Sequence, residues 1–231
     1  MKTIGLIGGI SWESSAHYYE IINKETNRIL GGHHFAKCLL YSIDFADIVI
    51  HQDNNQWTEC SKILCEAAKK LELAGADLIG LCTNTSHKAA NEIQSVVKIP
   101  FYHIADMTTD KLIEDQLTCV GLLGTRFTME EDFYKQKLIE RGIKVLIPSK
   151  DDIKIINDSI FAELCYGIVD EQRKKEFIRI INELKKQGAQ GIILGCTELN
   201  MIVSDEDVEI KLYDTTAIHA KKLVEIAING E

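Results

Sequence analysis

Proline is nearly absent from the 231 residues: there are two, and no stretch is rich in Ser, Gly and Pro together. That argues against a long disordered linker, so any two domains must be joined by short connections. Long apolar runs are missing too. None reaches the roughly 18 residues that mark a membrane-spanning helix, and Met1-Lys2-Thr3-Ile4-Gly5 already reads as a strand rather than a leader. Positive charge is in short supply, with 26 Lys and Arg against 35 Asp and Glu and a formal net charge of -9. Non-specific binding to nucleic acid or to an anionic membrane surface is therefore not expected. An acidic small-molecule substrate stays possible, because a few local donors outweigh a distant field. The seven cysteines are odd in number and lack a disulfide-like spacing. In a chain too large to need covalent staples, they point to the cytoplasm.

What is present is ordinary for a soluble globular protein: 45% hydrophobic and 26% charged residues, enough to bury one large core or two small ones. Short apolar strands alternate with amphipathic helices. Strands are expected at Thr3–Ile7, Cys38–Ile43, Asp77–Leu81, Ile99–Ile104, Thr118–Leu123, Ile143–Ile147, Gly191–Leu194 and Ile210–Tyr213. Their runs lack polar alternation, which indicates parallel strands buried on both faces. Between them Trp57, Cys60, Leu64, Ala67, Ala68 and Leu71, and later Phe177, Ile180, Ile181 and Leu184, recur at helical spacing. The class is α/β.

The chain also repeats itself. Ile4-Gly5-Leu6-Ile7-Gly8-Gly9 resembles Val120-Gly121-Leu122-Leu123-Gly124-Thr125, and residues 74–84 resemble 187–197, in the same order and at nearly the same separation. Two pseudo-symmetric domains follow, each a small parallel sheet flanked by helices: residues 1–103 with 209–231, and 104–208. The last helix is expected to return to the first domain. Ligands of open α/β sheets bind beyond the C-terminal strand ends, so the loops at Asn84 and Thr197 are expected to face each other across an interdomain cleft.

The Gly5–Gly9 turn does not fit a dinucleotide fingerprint, and no P-loop lysine follows. Its glycines suit close approach to another backbone or, the preferred reading, to a ligand. Cys60 and Cys65 lie on different faces of one helix and read as core residues rather than metal ligands, Cys165 resembles helix packing, and Cys38 and Cys119 sit inside strands as small buried hydrophobes. His33-His34 lacks a partner at zinc-site spacing, and His17, His51 and His219 carry no signal beyond that of satisfied surface residues. Cys82 and Cys196 each close a strand before polar residues, where backbone N–H groups are available to a thiolate. Laying Gly75 on Gly188 pairs Cys196 with Thr83, not with Cys82. One step along a strand turns a side chain to the other face.

Ile4–Gly9 with Ser11-Trp12-Glu13, then Cys82-Thr83-Asn84-Thr85-Ser86-His87, Gly121–Thr125 and Gly195-Cys196-Thr197-Glu198-Leu199 resemble the aspartate/glutamate racemase family from the first strand to the last helix. The resemblance implies two α/β domains around one active site, no pyridoxal phosphate, no metal, and a homodimer in many members. It also implies two cysteines flanking the substrate α-carbon. Here the family cysteine before Asn84-Thr85 is replaced by Thr83, as in a branch that looks selective for L-aspartate and L-glutamate. The base facing an L-substrate would then be Cys196. The basic residues with which relatives hold the distal carboxylate are not matched: Gln52 lies in the first region and Cys165 takes the second place.

An amino acid's α-hydrogen is a very weak acid, so preorganised donors must meet the carbanion. Candidates that grip the substrate are Ile10, Gln52, Asn84, Thr85, Thr125, Thr128, Thr197 and Glu198. Turn formation and helix capping compete as explanations for the Asn and Thr residues, and a first-turn acid favoured by the helix dipole for Glu198. A pyridoxal enzyme would need a lysine in a cleft loop. Lys88 alone lies there, and it is expected to point to solvent. Two other readings keep the fold: an isomerase or decarboxylase of the same superfamily acting on a small dicarboxylic acid, and a carboxylate-binding protein with weakened chemistry.

Overall fold

Ile4-Gly5-Leu6-Ile7-Gly8 is buried along its whole length, which demands partners on both edges and cover on both faces. In the computed structural model, which describes residues 1–230, this strand (β1, Ile4–Gly8) is the centre of a three-stranded parallel sheet. Its neighbours are β2 (Cys38–Ser42), with Ile4 opposite Cys38, and β3 (Leu78–Leu81), with Ile4 opposite Leu78. The connections are α1 (Trp12–Leu30), α2 (Phe45–Asp53) and α3 (Trp57–Leu73); after β3 come a 3₁₀ turn, Thr85–Ala89, and α4 (Ala90–Val96). Helix α3 buries Cys60, Leu64, Ala67, Ala68 and Leu71 of the expected stripe in one core with Ile7, Ile79 and Ile93, while Trp57, its first member, is half-buried against that core. Each fully buried large aliphatic there contributes about 1.5–3 kcal/mol relative to exposure.

The second sheet repeats the first. After α5 (Ile104–Glu114), strand β4 (Cys119–Gly124) is central, followed by α6 (Arg126–Glu130), α7 (Asp132–Ile139) and β5 (Lys144–Leu146). Then come α8 (Lys150–Ala162), a 3₁₀ turn at Leu164–Tyr166, α9 (Glu171–Lys186), β6 (Ile192–Gly195), a 3₁₀ turn at Thr197–Met201 and β7 (Leu212–Asp214). The order β5-β4-β6-β7 is parallel throughout and matches β2-β1-β3 strand for strand, with β7 added. Phe177, Ile180, Ile181 and Leu184 of α9 pack with Leu123, Ile192 and Leu194.

Even the added strand has a trace in the first half. Tyr102 N–H donates to Ile79 O and Ile79 N–H to Pro100 O, both at 2.9 Å, leaving one parallel bridge between Ile79 and Phe101. The strand expected over Ile99–Ile104 shrinks to this bridge for two reasons. Pro100 has no N–H to donate to a ladder, and α5 begins at Ile104.

One unit comprises Met1–Ile104 and the chain from Thr216 onward; the other is Ala105–Thr215. The second crossing therefore lies after β7, not at 208/209 as the sequence reading has it. Leu212, Tyr213 and Asp214 pair with Ile192, Ile193 and Leu194, and Ile210 belongs to the second core, so cutting before them would tear that sheet. Helix α10 (Thr215–Asn229) belongs to the first unit from Thr216 on. Lys2 N–H donates to Ala227 O at 2.8 Å, and Leu223 fills the space that a Cβ on Gly80 would need, 2.5 Å from it. No helix among the described residues is long and apolar enough to cross a membrane.

Candidate active site

In the first unit the site candidates gather where β1 and β3 end. Cys82 N–H donates to Ile7 O (2.9 Å), extending the ladder by one residue, and alternation then sends the Cys82 and Thr83 side chains to opposite sides. Cys82 is buried, and burial pushes its thiol well up from the ordinary range. Thr83 is half-buried. Three successive carbonyls of this turn are held. Ser14 Oγ donates to Cys82 O at 2.7 Å, His87 Nδ1 lies 2.7 Å from Thr83 O, and His87 N–H donates to Asn84 O at 3.1 Å. Asn84 and Thr85 are buried at the start of the 3₁₀ turn.

The glycine turn after β1 serves backbone packing. Gly9 has φ +86°, and a Cβ there would lie 2.0 Å from Ile43 O; its N–H donates to Ser15 Oγ (2.8 Å). The close approach expected toward a ligand is thus, at Gly9, an approach to the chain following β2. Ser11 caps α1 in left-handed geometry, φ 65°, accepting from Ser14 N–H at 3.3 Å. Ile10 is buried beside it, and Gln52 is half-buried on α2. Lys88 does not simply point to solvent, since its ammonium lies 4.0 Å over the Trp57 ring.

Behind Thr83 stands a group that the sequence reading missed. His87, His103 and His219 are all buried. The His87 ring lies 4.6 Å from that of His103 and 5.8 Å from that of His219. His219 Nε2 lies 3.0 Å from Tyr102 O and its Nδ1 2.8 Å from Tyr18 Oη. A carbonyl only accepts, so Nε2 carries the proton and Nδ1 accepts from the tyrosine. Burial pushes the His219 imidazole down to about 4. Burial first, then the other two imidazoles, hold His87 well below the usual histidine range. The signal that could have exposed His219 is helical: on α10 it shares the buried face with Thr216, Ala220, Leu223 and Ala227.

In the second unit the ends of β4 and β6 lie side by side, with Gly124 opposite Gly195. A Cβ at Gly195 would meet Leu123 O at 2.8 Å and the Thr128 methyl at 3.3 Å. Thr125 caps α6, its Oγ1 accepting from Thr128 N–H (3.4 Å) and lying 3.2 Å from Thr128 Oγ1. Capping and packing are therefore real roles for this buried pair.

Cys196 is half-buried and extended, one residue before the 3₁₀ turn. Its Sγ donates to Glu198 Oε2 at 2.9 Å, and Thr197 Oγ1 donates to the same oxygen at 2.7 Å. The Glu198 backbone N–H does favour a thiolate, as the position in the loop leads one to expect. Burial and the Glu198 charge outweigh it, however, and the thiol is pushed well above its usual range. The resting group is thus an S–H held against a buried carboxylate. Cys165, in the turn Leu164–Tyr166, packs on the same core as Cys196. Cys38 and Cys119 are half-buried rather than buried, and burial pushes the Cys38 thiol up to about 11.

The sequence profile of the family described as Asp/Glu/Hydantoin racemase matches residues 7–223. The chain is 26% identical over 227 residues to a broad specificity amino-acid racemase, RacX, of Bacillus subtilis, covering 96% of each. Among solved structures it resembles a Yersinia pestis chain crystallised as a candidate Asp/Glu racemase, with 43% identity, TM-score 0.94, and coverage of 99% of this chain and 100% of that one. It also resembles an aspartate racemase homologue from Pyrococcus horikoshii, with 35% identity, TM-score 0.87, and the same coverage.

Proposed function

The chain belongs to the Asp/Glu/hydantoin racemase family, and from that premise we propose that it racemises aspartate, glutamate or both without a cofactor. In this reading Cys196 and Thr83 meet opposite faces of one α-carbon. The observation that carries it is the contact between Cys196 Sγ and Glu198 Oε2, 2.9 Å, at the exit of β6. A thiol poised against a buried carboxylate is an acid-base pair, and the corresponding exit of β3 presents Thr83.

For an L-substrate, the Sγ–H proton passes to Glu198 Oε2 and the thiolate removes the α-hydrogen. The substrate ammonium favours this transfer by offsetting the burial that holds the thiol up. Donors from Asn84, Thr85 and the Thr197 backbone meet the charge that develops on the carboxylate side of the carbanion. Return of the proton from Sγ regenerates the L-substrate. Delivery from the Thr83 hydroxyl, which takes a proton from water as it gives one, yields the D-product, and the proton left on Glu198 neutralises the hydroxide so formed, returning both groups to their resting state.

The test is proton NMR in D₂O on both enantiomers of Asp and Glu. Other amino acids belong in the screen because the Bacillus subtilis relative is named for broad specificity. Loss of the α-proton signal from L-aspartate or L-glutamate is expected. Exchange with no amino acid at all would leave a carboxylate-binding protein instead.

A further inference from the structure

We propose that His87 is a positioning residue for inversion, holding Thr83 by its backbone carbonyl so that the hydroxyl addresses the substrate face opposite Cys196. The proposal rests on the racemase reading of Thr83. Its geometry does not.

Thr83 O accepts from His87 Nδ1 at 2.7 Å, and His87 Nε2 accepts from the Ile104 N–H at 3.2 Å. A carbonyl cannot donate and an amide N–H cannot accept, so the imidazole is fixed as the neutral tautomer with its proton on Nδ1. The Ile104 N–H belongs to the first residue of α5, where helix donors lack an intrahelical partner. One ring therefore joins the turn after β3 to the start of α5. The groups facing that ring are His103, His219 and Phe101, whose ring centroid lies 5.5 Å away. None of these three is an acid that would favour a charged imidazole. Through His219 the cluster reaches Tyr18 of α1 and Tyr102 O.

The clamp is not inherited from the repeat. In the register that lays Thr83 on Cys196, His87 falls on Asn200, which is exposed. The carbonyl of Cys196 accepts instead from the Leu199 backbone N–H, at 3.2 Å. The half carrying the weaker acid thus holds that residue's carbonyl with a side chain, where the other half uses a backbone N–H. A hydroxyl that must deliver a proton by geometry rather than by acidity depends strongly on placement.

The experiment separates two rates in D₂O: deuterium gained by L-substrate with retained configuration, which reports Cys196, and formation of D-product, which reports Thr83. In His87→Leu, inversion is expected to fall about tenfold, the scale of one lost buried hydrogen bond, with exchange little changed. His87→Asn, whose Nδ2 occupies the place of Nδ1, should restore inversion to near the unmodified rate. Equal losses in both rates, or no rescue by Asn, overturn the proposal and leave His87 merely structural. Absence of exchange in the unmodified protein overturns the racemase reading. ¹⁵N-labelled spectra of that protein then decide the clamp: a proton on His87 Nδ1 at neutral pH supports it, and one on Nε2 refutes it. The same spectra serve if His87→Leu fails to fold.

Discussion

The turns after β3 and after β6 occupy the same place in two sheets of the same topology, yet they are built differently. The first holds three successive carbonyls with Ser14 Oγ, His87 Nδ1 and His87 N–H, and presents an alcohol. The second holds its sulfur, with a carboxylate at 2.9 Å and a threonine hydroxyl on the same oxygen. On the proposed roles, one turn places its functional group and the other controls its proton. The difference follows the chemistry. A thiol is acidic enough that its ionisation can be tuned, whereas a hydroxyl can only be put where a proton is needed.

The widest break in this comparison should come from Cys196→Ala, with α-proton exchange falling about 10²–10⁴-fold, the usual contribution of a positioned acid-base group. Cys82→Ala should keep most of the exchange, because Cys82 is buried and turned away from Thr83. If Cys82→Ala proved the dead variant, the pairing of Cys196 with Thr83 would be wrong.

Next in size is the response of the first unit to acid. His219 is neutral and buried with a folded value of about 4, against an ordinary 6.5. The unfolded chain therefore binds a proton that the folded one refuses between those values. This contribution is complete above pH 6.5 and is lost as the pH falls toward 4; it is on the order of 3 kcal/mol, and His87 acts in the same direction. Both tryptophans, Trp12 and Trp57, lie in this unit. Urea unfolding followed by their fluorescence should show a lower midpoint at pH 4.5 than at pH 7.5. His219→Gln should lower the midpoint at pH 7.5 but flatten its dependence on acid.

Glu198→Gln should sharpen the contrast from the other side. Removing the carboxylate takes away one cause of the high thiol value, so alkylation of Cys196, followed by mass spectrometry of its peptide, should begin at lower pH. Exchange from L-substrate should nevertheless slow about tenfold, because the proposed proton acceptor is gone. An unchanged alkylation profile would remove Glu198 from the account of the thiol.

The smallest effect is expected from Thr83→Cys. Deuterium should enter L-aspartate or L-glutamate with retention faster than D-product forms in the unmodified protein, and the substitution should narrow that gap by several-fold. The overall kcat/KM must still match in the two directions, since enantiomers are equal in energy. Equal exchange and racemisation without the substitution would sink this account of Thr83.

Much of this architecture was legible in the chain. The all-apolar runs of β1, β3, β4 and β6 required buried parallel strands, and the repeat placed Thr83 and Cys196 at matching exits. Errors arose where one element depended on another. Segment 209–215 belongs with the second half because its strand pairs with β6, a contact that no local pattern announces. The periodicity of α10 can mark His219 as inward-facing, but its partners, Tyr18 and the Tyr102 carbonyl, lie 201 and 117 residues away and are not legible locally.

Periodicity and turn chemistry are local properties, readable over a few residues, and they dictate the alternating strands and helices, the glycine turns and the two loop motifs. Proton affinity and tautomer are not local. The Cys196 backbone position favours a thiolate, yet the folded surroundings make it a thiol, because burial and a neighbouring charge outweigh one N–H. The His87 side chain could carry its proton on either nitrogen, and the fold sets the choice by holding the ring between the Thr83 carbonyl and the Ile104 N–H, the latter brought in from 17 residues further on.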